Sequence, residues 1–218
     1  MDASGQYAPL TARLAPLSAV VVAMLAQVLM RDRIVLGPLL MVPVIEAVLV
    51  VAIILGDGLL RSQRRRVDLL RYALALVLAV SGTTSAFLLI SDVIAVRPVS
   101  VQQLLAEGAQ ILVVLTVGFA LLFWQLDRGG PNGRAQPDIE LMSFWFTQDA
   151  IREYSDQFDS WQPRFLDYLY LATTNLIAFS PTDTMPLTRL AKMLMAWQSV
   201  VSLATFAVVL ARAVNILN

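Results

Sequence analysis

The sequence predicts an all-α integral membrane protein with about five transmembrane helices and one re-entrant half-helix hairpin. Of its 218 residues, 58% are hydrophobic and only 15% are charged, whereas a soluble domain has roughly 25% charged residues. This excess of apolar residues is too large for one water-soluble core, so the bilayer must solvate much of the chain. Backbone groups in lipid must pair within their own segment, and the alternating pattern of barrel strands is missing, so helices are expected.

Composition excludes several classes of function. The chain has no Cys and no His, which excludes disulfides, ordinary zinc sites and a histidine proton switch. It has 16 Lys and Arg against 16 Asp and Glu, so a basic surface for nucleic acid is not indicated. No nucleotide-binding loop, nucleophile elbow or zinc-protease motif is present. We therefore expect no cofactor, no metal and no enzymatic activity.

Four apolar segments fill residues 14–126, after a polar N-terminal tail at 1–13. That tail lacks the features of a signal peptide, so the first segment is expected to remain as a helix. The predicted spans are 14–30, 34–60, 69–96 and 101–126. Pro38 and Pro43 predict a kink in the first third of the second span. Small residues in the third span predict close helix packing; they are Ser81, Gly82, Ser85 and Ala86.

Residues 127–163 are a long segment outside the membrane. Its first part, LDRGGPNGRAQPD, is rich in turn residues. A set of mostly apolar and aromatic residues then recurs at three- and four-residue steps: Leu141, Phe144, Trp145, Gln148, Ile151, Tyr154, Phe158 and Trp161. This spacing predicts an amphipathic helix whose aromatic face lies at headgroup depth. The alternative is a helix packed on the bundle end or on a partner subunit.

Residues 164–218 predict a hairpin followed by the last span. The run 164–180 has polar residues at its middle and is short for a full span, so it is expected to dip into the bilayer and return. Pro181, Asp183 and Pro186 end this run, and Thr188–Leu217 crosses the membrane. If 164–180 crossed completely, the protein would have six spans.

The arginines predict an orientation in a bacterial inner membrane. One side of the predicted spans carries Arg13, Arg61, Arg64, Arg65, Arg66, Arg71, Arg128, Arg134, Arg152 and Arg164, and the other carries Arg31, Arg33 and Arg97. The positive-inside rule makes the first side cytoplasmic. The run from Arg61 to Arg71 is also expected to bind anionic lipid.

Residues 168–188, YLYLATTNLIAFSPTDTMPLT, resemble the pore helix and filter of two-helix potassium channels. In that family an aromatic, Thr-rich half-helix precedes a T-V-G-Y-G-D filter, a turn with proline and a long inner helix. Asp183 and Pro186 match the closing Asp and the following Pro, and residues 190–211 match the inner helix. Residues 104–126 would be the outer helix, so the resemblance covers about a third of the chain. The whole chain, including LDRGG and AFSPTD, is also similar to a family of uncharacterised bacterial membrane proteins, which implies an architecture but no activity.

The filter itself departs from the potassium-channel pattern. The sequence FSPTD, residues 179–183, stands where V-G-Y-G-D would be, and both glycines are missing. Glycine allows successive carbonyl groups to point into a pore, and Pro181 fixes its own φ angle. Weak potassium selectivity is therefore expected of any channel. The resemblance also implies that the fourth span runs outward, whereas the arginine count favours the opposite direction.

Three sets of residues could carry function. The intramembrane acid Glu46 is a proton or cation site, or a neutral acid bonded to a neighbouring helix, with the Ser81–Ser85 cluster as its expected partner. The pore and filter candidates, which could instead be caps and turns, are Thr173, Thr174, Ser180, Pro181, Thr182 and Asp183. The candidates for lining a pore from the last helix, which could instead pack helices, are Gln198, Ser199, Ser202 and Thr205.

Three functions are consistent with these residues. The first is a channel-like homo-oligomer, with a tetramer favoured, that passes ions or small solutes through the FSPTD filter. The second is a non-conducting structural or partner-binding membrane protein with a degenerate pore-loop fold. The third is a proton-coupled carrier that uses Glu46.

Overall fold

Helices make up nearly all of the described chain, which in this computed structural model comprises residues 10–30, 38, 40–59, 64–130, 142–151, 161–177 and 183–217. The elements are α1 (Leu10–Val28), α2 (Met41–Leu59), α3 (Arg64–Ile94), α4 (Val101–Leu126), a 3₁₀ turn (Asp127–Gly129), β1 (Phe144–Phe146), α5 (Thr147–Ile151), α6 (Phe165–Ile177), β2 (Thr184–Pro186) and α7 (Arg189–Leu217).

Three of the described helices, α3, α4 and α7, are long and apolar enough to cross a bilayer. They have 31, 26 and 29 residues, which correspond to about 39–47 Å at 1.5 Å per residue, more than the ~30 Å hydrocarbon core. These helices therefore have the length and composition expected of a helical membrane protein, as the overall composition predicted. The count of about five spans remains a prediction.

The helix α4 is the centre of the bundle. It packs against α1, α3, α6 and α7, and between Val114 and Phe123 every side chain except Thr116 is buried. A helix that is apolar on all sides is suited to this position. Its start is fixed by a capping box, in which Gln103 N donates to Ser100 Oγ and Ser100 N donates to Gln103 Oε1.

Small residues let α3 approach α4 closely. A Cβ atom on Gly118 would lie 2.6 Å from the backbone nitrogen of Ala79, a distance that no side chain tolerates. On the α3 side, a Cβ on Gly82 would lie 3.2 Å from atoms of Val114 and Leu115. The packing role predicted for the small residues of the third span is therefore confirmed for Gly82.

The end of the bundle where α3 begins and α4 ends is called the arginine end below. Tyr72 Oη donates to the carbonyl oxygen of Gln125 at 2.5 Å, which joins the two helices there. Arg71 donates to both oxygens of Asp57 at 2.7 and 2.8 Å and to Asp68 at 2.9 Å. This contact brings the last turns of α2 to the same end.

The hairpin that contains α6 enters and leaves at the arginine end. The first turn of α6 packs there, with the Phe165 ring 5.4 Å from the Trp124 ring of α4. After α6, the chain returns as β2, which pairs antiparallel with β1 in the register Phe144↔Pro186. Leu187 N also donates to the carbonyl oxygen of Ser143 at 2.8 Å. The dip predicted for 164–180 agrees with this path, although residues 178–182 lie outside the described part of the chain.

One local prediction needs correction. The prediction of an amphipathic helix is wrong at Phe144 and Trp145, because these residues form β1. Phe144 and Phe146 are buried and Trp145 is exposed, so this short segment has the two-residue period of a strand and pairs with β2. Tyr154 and Phe158 lie outside the described residues. The kink expected in the second span stays a prediction, because residues 34–37 and 39 lie outside the described residues; in the described part, α2 begins at Met41, with Pro43 in its first turn.

Candidate functional site

A buried carboxylate fixes the base of the hairpin. Asp127 directly follows α4, has no exposed surface, and accepts hydrogen bonds on both oxygens. Ser143 N and Phe144 N donate to Oδ1 at 2.7 and 3.1 Å. Tyr168 Oη of α6 donates to Oδ2 at 2.5 Å. One carboxylate therefore joins the end of α4, the start of β1 and the first turns of α6.

Arg128 extends this contact to α5. Its Nε lies 3.2 Å from Asp127 Oδ2, and its guanidinium donates to Asp149 Oδ2 at 2.5 Å. Phe146 N donates to the same Asp149 oxygen at 3.2 Å. The backbone of Arg128 is left-handed, with φ 52°, a conformation that costs a non-glycine residue about 1–3 kcal/mol. Asp127, Arg128, Asp149 and Tyr168 together are called the Asp127 anchor below.

Aromatic rings surround the anchor and exclude water from it. Phe144 meets Phe123 edge-on at 5.2 Å. Phe146 meets Tyr168 at 5.3 Å and Trp161 at 5.7 Å, again edge-on. Hydrogen bonds to ionised groups are stronger in such a dry environment. The base of the hairpin is therefore rigidly attached to the end of α4.

A second polar contact, called the amide lock, joins α6 to α7. Asn175 Nδ2 donates to Met195 O and to Gln198 Oε1, both at 2.9 Å. Gln198 Nε2 returns a hydrogen bond to Ala172 O at 2.9 Å. Ser199 Oγ lies 3.2 Å from both oxygens of Asn175. Amide side chains of this kind join helices in apolar surroundings.

The pore-lining candidates of α7 are hydrogen-bonded within the chain. Gln198 and Thr205 are fully buried and Ser202 is 1% exposed. Ser202 Oγ donates to Gln198 O at 2.7 Å, and Thr205 Oγ1 donates to Val201 O at 2.8 Å. The exposed face of α7 is instead apolar; it includes Met193, Trp197, Val200, Leu203, Phe206, Leu210 and Val214.

The hairpin candidates are only partly described. Thr173 Oγ1 donates to Leu169 O at 2.7 Å and Thr174 Oγ1 to Tyr170 O at 3.0 Å, so both hydroxyl groups bond to their own helix. Asp183 is partly buried, and its Oδ1 has no hydrogen-bond partner among the described residues. The remaining filter candidates, Ser180, Pro181 and Thr182, lie outside the described residues.

The intramembrane acid Glu46 is fully buried and bonds to a different partner from the one expected. Gln27 Nε2 of α1 donates to Glu46 Oε1 at 2.8 Å. The Ser81 hydroxyl donates instead to Leu78 O of its own helix at 3.0 Å, so the expectation of a bond from the Ser81–Ser85 cluster is wrong for Ser81. The second carboxyl oxygen, Oε2, has no partner in the described part of the chain.

Sequence reasoning missed the Asp127 anchor and Gln27. The available signals were a charged pair directly after an apolar span, followed by two glycines, and a single amide after the apolar run 19–26 of α1. Within the described residues, no group of three acidic side chains could hold a metal ion. No protein-family model, curated protein or solved structure matches this chain.

Proposed function

We propose that this protein is a channel-like membrane protein that assembles as a homo-oligomer, with four copies favoured, and passes ions or small solutes. The observation that supports this most is the path of the hairpin. The helix α6 has 13 residues, or about 20 Å, and the chain before and after it lies at the arginine end. It packs between α4 and α7, in the order outer helix, half-helix and inner helix.

The physical case for an oligomer comes from the end of α6. A helix that ends inside the bilayer leaves unpaired carbonyl groups at that depth, which are tolerated only where protein or a water-filled cavity covers them. In a single copy, the last turn of α6 is open, with Ile177 exposed. Copies arranged around an axis would cover this last turn and place the end of α6 next to the axis, whereas Leu166 and Tyr170, in its first turns, would lie outside this contact.

The proposed pore differs from a potassium filter in chemistry and in direction. Both filter glycines are missing, so we expect little discrimination between potassium and sodium. The arginine end is the cytoplasmic end by the positive-inside rule. The hairpin would therefore enter from the cytoplasm, opposite to the direction that the resemblance implies. This direction is the one that the arginine count favours.

Flux from liposomes that contain the purified protein tests the proposal. We expect cation or small-solute flux that changes when Asp183→Asn removes the carboxylate nearest the tip of the hairpin. Asp68→Asn is the matched control, because this carboxylate lies at the same end of the bundle but outside the hairpin. A lack of flux for common cations, anions and small solutes, with the oligomer intact, would refute conduction. A potassium-over-sodium ratio above about tenfold would refute the selectivity argument.

One observation favours a second function. The polar side chains on this face of α7 form hydrogen bonds within the chain. In its described part, the helix therefore has no polar face that could line a pore. A non-conducting structural or partner-binding protein with the same hairpin would have this arrangement. An oligomer without a continuous water-filled path along its axis would support this function over the first. A proton-coupled carrier would depend on Glu46, whose carboxyl group bonds to Gln27.

A further inference from the structure

Five exposed cations gather at the arginine end. They come from three helices that all begin there and are Arg65, Arg66, Arg164, Arg189 and Lys192. The sequence alone predicts anionic lipid only along Arg61–Arg71. The fold adds Arg164, at the entry to α6, and Arg189 and Lys192, in the first turns of α7. These three residues are called the hairpin cations below, because they flank the hairpin on both sides.

The partly buried arginines at this end, Arg71 and Arg128, are neutralised within the chain, whereas the hairpin cations are not. Arg71 pairs with Asp57 and Asp68, and Arg128 pairs with the two carboxylates of the Asp127 anchor. Asp167, which is close to Arg164 in sequence, accepts a hydrogen bond from the Arg164 backbone nitrogen at 2.6 Å. Within the described ranges, no ion pair involves the side chain of a hairpin cation.

Exposed apolar side chains lie along the same helices, one or two turns further into the bilayer. Leu166 and Tyr170 follow Arg164 on α6, and Met193 and Trp197 follow Arg189 on α7. Tyr and Trp are typical of the depth at which headgroups meet acyl chains. A cation above an exposed apolar face matches the two parts of a phospholipid, an anionic headgroup and its acyl chains.

We propose that the hairpin cations bind the headgroups of anionic phospholipids, whose acyl chains lie against the exposed faces of α6 and α7. Lipid is favoured over a soluble anion because the apolar faces continue directly from the charges. The opposite end offers no equivalent in its described part: Arg97 is paired with Asp92 at 2.5 Å, and Arg212, near the end of α7, is partly buried rather than exposed. This inference is independent of conduction, since it concerns only charge and exposure.

Quenching of tryptophan fluorescence by brominated lipids tests the inference. The full chain is reconstituted into vesicles that contain either brominated phosphatidylglycerol or brominated phosphatidylcholine, and the relative binding constants are measured. Trp197 is exposed on α7, where it would meet the bound lipid. We expect a preference for phosphatidylglycerol of roughly fivefold for each cation that is engaged. The preference should decrease when salt screens the charges.

Two matched variants separate charge from packing. The triple variant Arg164→Gln, Arg189→Gln and Lys192→Gln should lose the preference, whereas Arg164→Lys, Arg189→Lys and Lys192→Arg should retain it. If the first variant does not fold, Lys192→Gln alone should reduce the preference by roughly fivefold. Equal binding of both lipids by the wild type, or loss of the preference in the charge-retaining variant, would overturn the inference.

Discussion

The substitution Asp127→Asn should destabilise the protein more than its small change in shape suggests. Asparagine keeps one acceptor oxygen, which can still serve Ser143 N and Phe144 N. Its amide nitrogen then faces Arg128 Nε, which is also a donor and lies 3.2 Å from Asp127 Oδ2 in the wild type. The Arg128 guanidinium keeps Asp149 as a partner. The loss in the free energy of unfolding should therefore be smaller than when a buried ion pair is broken completely.

The expected cost follows from the contacts of this carboxylate. A hydrogen bond to a charged group contributes about 1.5–3 kcal/mol, and removing one partner of a buried ion pair costs about 3–5 kcal/mol. With Asp149 retained, we expect a loss of about 2–4 kcal/mol in the free energy of unfolding. For a chain of this length, that loss lowers Tm by about 4–16 °C.

Thermal unfolding of the purified protein in detergent, followed by tryptophan fluorescence, measures this loss. Asp68→Asn is the control, because Asp68 is partly exposed and Arg71 keeps two bonds to Asp57; we expect about 0–1 kcal/mol there. Hydrogen exchange should also accelerate at the amides of Ser143 and Phe144, because a neutral amide oxygen is a weaker acceptor than the carboxylate to which they donate in the wild type. Equal Tm values for the two variants, with unchanged exchange at these amides, would refute the role of the anchor.

Three further substitutions probe helix packing, the amide lock and the buried acid. Gly118→Ala should cost about 1–3 kcal/mol, because the new Cβ would lie 2.6 Å from a backbone nitrogen of α3; thermal unfolding measures this. Asn175→Ala should cost about 1–2 kcal/mol, since Gln198 Oε1 loses its donor; the same assay applies. Glu46→Gln should leave liposome flux unchanged if the protein conducts through the hairpin rather than carries protons.

Each of these predictions has a matched comparison. Gly108→Ala is the control for packing, because its nearest neighbour is a side-chain atom of Val209 at 3.1 Å; an equal loss at Gly108 and Gly118 would contradict the backbone-clash argument. For the amide lock, Thr174→Ala removes a hydroxyl that bonds only to its own helix in the described structure. Equal losses at Asn175 and Thr174 would count against the lock. Flux that disappears in Glu46→Gln would support the carrier.

The long helices and the hairpin could be predicted because their signals are local. Runs of apolar residues define α3, α4 and α7, and the polar middle of 164–180 with the prolines after it indicates a return. The antiparallel pair of β1 and β2 could not be predicted in this way, because each strand has three residues and is stabilised by a partner distant in sequence. The aromatic residues of β1 fit a helical period equally well, and only their burial against α4 and α6 decides between the two.

The polar residues show the same limit. The sequence identifies Gln198, Ser202 and Thr205 as one face of a helix, but it contains no information on whether α6 or a second copy covers that face. Glu46 was found because a lone acid is conspicuous in an apolar run. Its partner Gln27 was missed because it belongs to a separate helix. In the sequence, Asp127 belongs to a segment rich in turn residues. Its role is not visible there, because its hydrogen-bond donors come from segments that meet only in the folded chain.

The central position of α4 affects the order in which the chain can assemble during synthesis. This helix enters the membrane before α6 and α7, and residues 127–217 take roughly 5–18 s to be made at 5–20 residues per second. During that interval, Gly108 lacks its neighbour Val209 and Asp127 lacks Tyr168. Chains that stop before α6 keep both residues uncovered, and chains that stop between α6 and α7 keep Gly108 uncovered in the bilayer. They are therefore the species that chaperones and membrane proteases are expected to retain and degrade.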